Sequence, residues 1–395
     1  MTIYDVENCG LVIGIDASNL RQGGGVTHQK EILRIKIPEV YSIEKVIIWG
    51  GRNTLKMLER RPWIKKICPP EIDKSLISRM FWQKFMLTKH ARLAGCDILF
   101  VPGGSYFGNF HPFVTMSQNL LPFELNELFR YRISLRTVRL LLLRLLQSKS
   151  FRNADGVIFL NDYARKTVLK TSGGFISKSS IIPHGTNSRF LMYPKEQKTI
   201  SEYNLTNPFR LIYVSCVDQY KHQWHLVEAV ARLRQEGLPL MLNLVGPAYP
   251  PALSRLKAAI HNFPFANDCV YYNGELPYEA IHRQYEQAEI GIFASSCENL
   301  PIILLEMMAT GLPIACSNRG PMPELLLDGG VYFDPEQPED ISRVLRKLIG
   351  SVKLREEKAA RSHQLAKEYS WKRCSNDTFK FLSSTANQYK QSSYL

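Results

Sequence analysis

The chain has 395 residues, enough for two domains of ordinary size, and its 45% hydrophobic and 11% aromatic content excludes a disordered polypeptide. It carries 50 Lys and Arg against 36 Asp and Glu, a formal charge of +14, yet no apolar run reaches the roughly 18–20 residues a spanning helix requires. The eight cysteines, at 9, 68, 96, 216, 269, 297, 316 and 374, form no Cys-x-x-Cys pair and no metal-ligand spacing. Met1 to Gly10 does not read as a signal peptide, so a reduced, cytoplasmic location without a structural metal is expected.

The first half opens with a strand over Leu11 to Asp16, a loop containing Gly23, Gly24 and Gly25, and a helix beginning near Gln29. Further buried strands are expected over Lys45 to Trp49, Asp97 to Val101, Phe113 to Ser117 and Gly156 to Leu160. Helical patterns fill Ser75 to Leu93 and Glu124 to Leu146. This alternation implies parallel sheets covered on both faces. A polar interval, 194–207, reads as a linker, after which the pattern restarts with strands over Phe209 to Ser215 and Met241 to Val245. The expected division is a first domain over 1–193, the linker, a second domain over 208–366, and a closing helix over 367–395 that packs back on the first domain. The fold class is therefore α/β, with two doubly wound, Rossmann-like domains facing each other.

The surplus charge is not evenly spread: residues 1–199 hold 30 basic against 15 acidic side chains, and residues 200–395 hold 20 against 21. Leu128 to Ala154 carries seven basic residues and no acid. Its centre, with Arg132, Arg136 and Arg139 among leucines, suits a helix lying on an anionic membrane surface; an ordinary surface helix with snorkelling arginines is the alternative. No helix-turn-helix, zinc or RNP-like pattern supports nucleic acid as a partner.

Three local signals carry chemistry. Gly23 to Gly25, between a strand and a helix, offers main-chain N–H groups to an anion or is simply a tight turn. Lys221, after a strand and before a helix, places a point charge suited to a diphosphate, or is an idle surface lysine. Glu298 and Glu306 straddle a strand–helix junction, with Pro301 suiting the first helical turn and Gly311 closing the helix. Two acceptor-only carboxylates at the carboxyl edge of a sheet suit hydroxyl-rich cargo; a loop acid and a surface helix acid are the bland reading.

These residues, in this order, together with Ile182-Pro183-His184-Gly185, Leu244-Val245-Gly246, Tyr272-Asn273-Gly274-Glu275-Leu276 and Gly311-Leu312-Pro313, resemble the retaining nucleotide-sugar glycosyltransferases of family 4, a GT-B-fold group. The resemblance is dense from Ile182 onward and thin before it. It implies a donor held by Gly23, Gly24, Gly25, Gly246, Gly274, Leu276, Asn299, Leu300 and Glu306, with the ribose on Glu306. Lys221 would neutralise the leaving diphosphate and Glu298 would hold the sugar, without a metal or other cofactor. A lipid-linked saccharide of the O-antigen or capsule type is the implied acceptor, on the inner face of the cytoplasmic membrane. Alternatives are a soluble acceptor, as in sucrose- or trehalose-forming enzymes, and a silent scaffold. Three departures stand out. The arginine common five residues before the lysine is Cys216 here, with Arg319 as a candidate substitute. The usual glycine-rich stretch between the glutamates is Asn299-Leu300-Pro301. The first-domain histidine is replaced by Gln118, with His111 a few residues earlier as another acceptor candidate.

Overall fold

The computed structural model describes residues 10–21, 23–35, 41–174, 176 and 178–393; Cys9 and most of the Met1–Gly10 stretch lie outside them. The chain packs as two units. Unit 1 comprises residues 1–123, 134–185 and 371–395, and unit 2 comprises residues 124–133 and 186–370.

Unit 1 is built on a seven-stranded parallel sheet of order β3-β2-β1-β4-β5-β6-β7. Its strands are β1 Leu11–Ala17, β2 Ile43–Gly50, β3 Ile64–Ile67, β4 Ile98–Val101, β5 Phe113–Met116, β6 Gly156–Phe159 and β7 Ser179–Ile181. The central strands are uninterrupted buried apolar runs because helices cover both faces. Edge strands β3 and β7 are short and only partly buried, so they lack that signature and escape a reading by hydrophobic runs. Helix α1, Gly24–Arg34, follows the glycine loop, and α2, Leu135–Asn153, precedes β6. The C-terminal helix Trp371–Ser393 lies in unit 1 too: Ser375 donates to the Ile32 carbonyl at 2.9 Å, and Lys390 pairs with Asp97 at 2.6 Å.

Two helical expectations change. Leu76–Phe81 and Leu87–Leu93 are α-helical, but Trp82–Met86 between them is a π turn, which packs Trp82 and Gln83 inward. The expected helix over Glu124 to Leu146 is broken. A short helix Leu125–Leu128 and a 3-10 turn Phe129–Tyr131 end at Arg132, whose φ of +53° stops helical propagation. Ser134 then caps α2 by accepting from the Thr137 N–H at 3.2 Å. The break also separates the units, since 124–133 belongs to unit 2 and α2 to unit 1.

Unit 2 has a six-stranded parallel sheet of order β10-β9-β8-β11-β12-β13. These are β8 Phe209–Val214, β9 Leu240–Val245, β10 Val270–Tyr272, β11 Ile290–Phe293, β12 Ile314–Ser317 and β13 Gly330–Phe333. Helix α3, Gln223–Gln235, follows β8, and α4, Ile302–Ala309, follows β11. Residues 194–207 do not form a free linker. Arg355, fully buried, donates to Gln197 at 3.0 Å and to the Lys198 carbonyl, while Lys195 pairs with Glu289 at 3.3 Å. A buried guanidinium with five donors needs several acceptors, and this polar segment supplies two of them.

Candidate functional site

In each sheet the strand order reverses once, between β1 and β4 in unit 1 and between β8 and β11 in unit 2. Loops leaving the carboxyl ends of strands at such a reversal diverge and leave a crevice for a ligand. The glycine loop follows β1, Lys221 follows β8, and Glu298 follows β11.

In unit 2, Lys221 is 5% exposed, and its ammonium pairs with the Glu298 carboxylate. Burial pushes the lysine pKa down, but Glu298 and then Tyr220 outweigh it and hold the group well above its ordinary range. The ammonium also sits 5.1 Å from the Tyr220 ring centre and 5.4 Å from that of Phe293. Both loops are tied together by the Ser296 N–H, which donates to the Tyr220 carbonyl at 2.8 Å. The result is a buried cation held in place by its carboxylate partner.

Glu306 is separate from that pair. It is the fifth residue of α4, 2% exposed, and accepts from the Tyr278 hydroxyl at 2.6 Å. Burial raises its carboxyl pKa to about 7, opposed by Tyr278 and by the nearby Arg189. Arg189 in turn lies 5.1 Å from the centre of the Tyr278 ring. Glu298 and Glu306 therefore do not present two bare carboxylates; each has its own partner. Pro301 caps α4 instead of opening its first turn, and its carbonyl accepts from Leu304 and Leu305. Asn299 and Leu300 are buried beneath the same loop, at 6% and 7% exposure.

Gly246 takes a φ of +142°, and a Cβ there would lie 2.3 Å from the Ser215 carbonyl oxygen, so only glycine lets β9 turn this close to β8. Its N–H donates to the Gly274 carbonyl at 2.8 Å, joining the loops after β9 and β10. Leu276, half-buried, follows on the second of these loops.

Arg319 is the candidate substitute for the arginine missing at Cys216. It is exposed and its guanidinium is held by Asp334 at 2.6 Å. The Cys216 thiol is pushed up by burial.

In unit 1, Gly23 caps α1, and its carbonyl accepts from Val26 at 3.1 Å and Thr27 at 3.2 Å. The N–H groups of Gly24 and Gly25 begin the helix, where no intrahelical acceptor exists. A side chain at Gly25 would meet Gln118 Oε1 at 2.6 Å, so Gln118, beyond the carboxyl end of β5, abuts the glycine loop. His111 is at the opposite, amino end of β5, bonded through Nδ1 to Asp155 at 2.7 Å, which raises its pKa. That placement removes it from the candidate site. Arg136 and Arg139 project from α2, whereas Arg132 belongs to unit 2.

Several site residues were not anticipated. Asp16, at the end of β1, is buried, and burial raises its pKa; it accepts from Ser18 at 3.0 Å and from Gln83. His28 of α1 stacks on His184 with ring centres 4.9 Å apart and no hydrogen bond to any of the four ring nitrogens. Tyr278, Ser296, His222 and Glu127 complete the unit 2 site. A carboxylate or glycine in a motif is visible in sequence, but the hydroxyls and imidazoles that orient it come from distant loops. Among the described residues no cluster of three or more His, Cys, Asp or Glu side chains could hold a metal, and no helix is long and apolar enough to cross a membrane.

The two Rossmann-like units have the GT-B architecture of the solved structures they resemble. The chain resembles sucrose-phosphate synthase from Thermosynechococcus elongatus with a TM-score of 0.73, at 16% identity, over 94% of this chain and 98% of that one. Residues 195–364, which hold Lys221, Glu298 and Glu306, match the family model Glycosyl transferases group 1. Over 109 residues it is 31% identical to O-antigen chain mannosyltransferase B of Escherichia coli, spanning 28% of this chain and 29% of that protein. It is 26% identical over 209 residues to the GDP-mannose-dependent alpha-(1-6)-phosphatidylinositol monomannoside mannosyltransferase of Mycolicibacterium smegmatis, spanning 50% of this chain and 53% of that protein. Both matches thus cover about half or less of the relatives' own length.

Proposed function

We propose that the chain transfers a hexose-type sugar, with retention at the anomeric carbon, from a nucleotide diphosphate donor to a lipid-linked saccharide in the synthesis of a cell-surface polysaccharide. The observation that carries this reading is the buried Lys221–Glu298 pair at the β8/β11 reversal, inside the stretch that matches the family. On donor binding, a diphosphate oxygen replaces Glu298 as the partner of Lys221, and Glu298 is released to accept from sugar hydroxyls. Negative charge grows on the departing diphosphate, and a prepositioned ammonium stabilises it more in the transition state than in the ground state. In unit 1, the main-chain N–H groups of Gly24 and Gly25 at the start of α1 suit an anion in the same way. Glu306 receives the ribose hydroxyls in place of the Tyr278 hydroxyl, and Gly246, Gly274 and Leu276 border the base. Lys221 supplies the positive charge of the step, so the chemistry proposed requires no metal.

The lipid-linked acceptor is supported by the surface of unit 1. Along α2, Leu135, Val138, Leu142 and Leu145 are 91%, 62%, 54% and 67% exposed. Their spacing of three, four and three puts them on one face. Ile77, Phe81, Phe85 and Leu93 are exposed on the neighbouring 76–93 helix, and Arg79 there is close enough to Arg139 for the latter to depress its pKa, after burial. Neither helix contains an acid. Exposed leucines among cations suit the anionic, inner face of a cytoplasmic membrane. Two names among the relatives, an O-antigen mannosyltransferase and a phosphatidylinositol mannoside mannosyltransferase, fit such an acceptor.

A panel of UDP-, GDP- and dTDP-sugars tests the donor: one at 100 times its dissociation constant should stabilise the fold by about 2.7 kcal/mol and be slowly hydrolysed. No stabilisation by any of them rejects the reading. Flotation with phosphatidylglycerol liposomes at low salt tests the membrane part, and its absence would favour a soluble acceptor.

A further inference from the structure

Residues 124–133 lie between two stretches of unit 1 in sequence but pack as part of unit 2. Their short helix reaches the two loops that carry Lys221 and Glu298. Ser296 Oγ stands 2.7 Å from Glu127 Oε2 and 2.8 Å from His222 Nε2. Arg130 donates to both oxygens of Glu127, at 2.6 and 3.1 Å, which keeps that carboxylate an acceptor. Ser296 has a single proton and gives it to Glu127, the nearer acceptor, the Tyr220 carbonyl lying 3.3 Å away; its oxygen is left to accept and His222 must donate from Nε2. His222 Nδ1 has no hydrogen-bond partner, and burial followed by the Arg130 charge pushes the ring's pKa down to about 3. A neutral ring protonated on Nε2 satisfies every one of these contacts.

The chain of donors therefore runs from His222 through Ser296 to Glu127. His222 adjoins Lys221, and Ser296 is two residues before Glu298. A second strut is parallel to the first: the Tyr131 hydroxyl donates to Asp218 Oδ1 at 2.8 Å, and the Asp218 carbonyl accepts the Lys221 N–H at 3.0 Å. Arg130 extends the anchorage to Glu336 at 2.7 Å.

We propose that Glu127 is a positioning residue for donor chemistry: acting through Ser296 and His222, it holds the Lys221 and Glu298 loops in register for the departing diphosphate. This rests on the donor reading of the Lys221–Glu298 pair. Donor groups act on a developing charge only if their geometry is set beforehand, and here part of that setting comes from the first half of the sequence.

The test uses the full chain, the nucleotide sugar it turns over fastest, and the variants Glu127→Ala, Glu127→Gln, Ser296→Ala and Glu127→Ala/Ser296→Ala. Each alanine variant should lower kcat by roughly tenfold while donor KM moves less than about threefold, since the loss falls on the transition state. Glu127→Gln still offers Ser296 an acceptor oxygen and should recover most of the rate. The double variant should be no slower than either single one, because both cut the same chain. The 15N signals of His222 should show the Nε2–H tautomer in the parent and lose it in Ser296→Ala, where the hydroxyl that accepts from Nε2 is gone. Ser296→Ala keeps the Glu127–Arg130 pair and remains informative if Glu127→Ala does not fold. Unchanged kcat in folded variants, or losses that multiply in the double variant, would overturn the proposal. A parent that turns over no nucleotide sugar would defeat the donor reading instead, and an unchanged His222 signature in Ser296→Ala would then overturn the relay by itself.

Discussion

The two units share one architecture and use their exposed edges differently. At the reversal of its sheet, unit 2 holds a buried ion pair and a buried carboxyl, each with a side-chain partner from another loop. At the corresponding point unit 1 presents glycine N–H groups, the amide of Gln118 and the buried carboxyl of Asp16, and α2 carries its arginines on an exposed face. The cation at the unit 2 reversal is thus desolvated and directional, and the arginines of α2 in unit 1 are solvated and diffuse. Interactions of the first kind act within a few ångströms and resist salt, whereas those of the second kind act at a distance and are screened. One suits bond breaking and the other suits a surface.

The largest expected effect breaks the unit 2 side of this contrast. Lys221→Ala should lower kcat by about 10²–10³, the range for loss of one preorganised donor, and should not merely raise donor KM. A variant with normal turnover at saturating donor would show that Lys221 is only a partner for Glu298.

Glu306 gives the next effect, with a pH signature. Glu306→Ala should weaken nucleoside diphosphate binding by about 1.5–3 kcal/mol, measured by titration into the folded variant. Its folded pKa, raised to about 7 from 4.5, means the buried carboxyl favours folding in its protonated form. That contribution is fully present below pH 4.5 and is lost as pH rises towards 7, where the folded state has to ionise a desolvated group. A ribose donates to the ionised form, so nucleotide binding should release a proton and tighten between about pH 6 and 8. Glu306→Gln should flatten that dependence. An affinity equally pH-dependent in the Gln variant would assign the proton to another group.

Smaller effects sharpen the unit 1 side. Replacing Arg136 and Arg139 by Gln should weaken binding to phosphatidylglycerol liposomes by about 1 kcal/mol each at low salt, and raising the salt should erase the difference. Nucleotide binding in unit 2 should be unaffected. Arg132→Gln belongs to the other unit and is expected to leave flotation nearly unchanged, a direct check on the break at that residue. Equal flotation of parent and the Arg136/Arg139 variant would discard the membrane reading. Smallest of all, Arg319→Gln should leave turnover intact and alter stability by no more than about 0.5 kcal/mol, as expected for an exposed pair with Asp334. A clear fall in donor turnover would restore Arg319 as a diphosphate ligand.

Much of the fold is legible without coordinates because a parallel sheet buried on both faces writes itself as consecutive apolar residues. The strands at β1, β5, β8 and β11 show this, as do the motif residues Lys221, Glu298, Glu306 and Gly311 at the ends of strands and helices. These follow from local sequence, since capping, periodicity and strand burial depend on neighbours a few residues away. Short edge strands β3 and β7 lack the apolar run and needed the finished sheet.

The basic stretch from Leu128 to Ala154 shows the limit most clearly. Counted along the chain it is one uninterrupted cationic segment, but Arg130 is neutralised by Glu127 and Glu336, the latter 206 residues away, and α2 alone carries its arginines on unit 1. Likewise Glu298 and Glu306 are eight residues apart in a motif, yet which hydroxyl or ammonium each one meets is set by Lys221 and Tyr278, 77 and 28 residues distant. By itself, the sequence determined the central strands, the helices flanking them and the residues placed at their ends. The protonation and partners of those residues were decided only by tertiary structure, because desolvation and hydrogen bonding depend on what arrives from elsewhere in the chain.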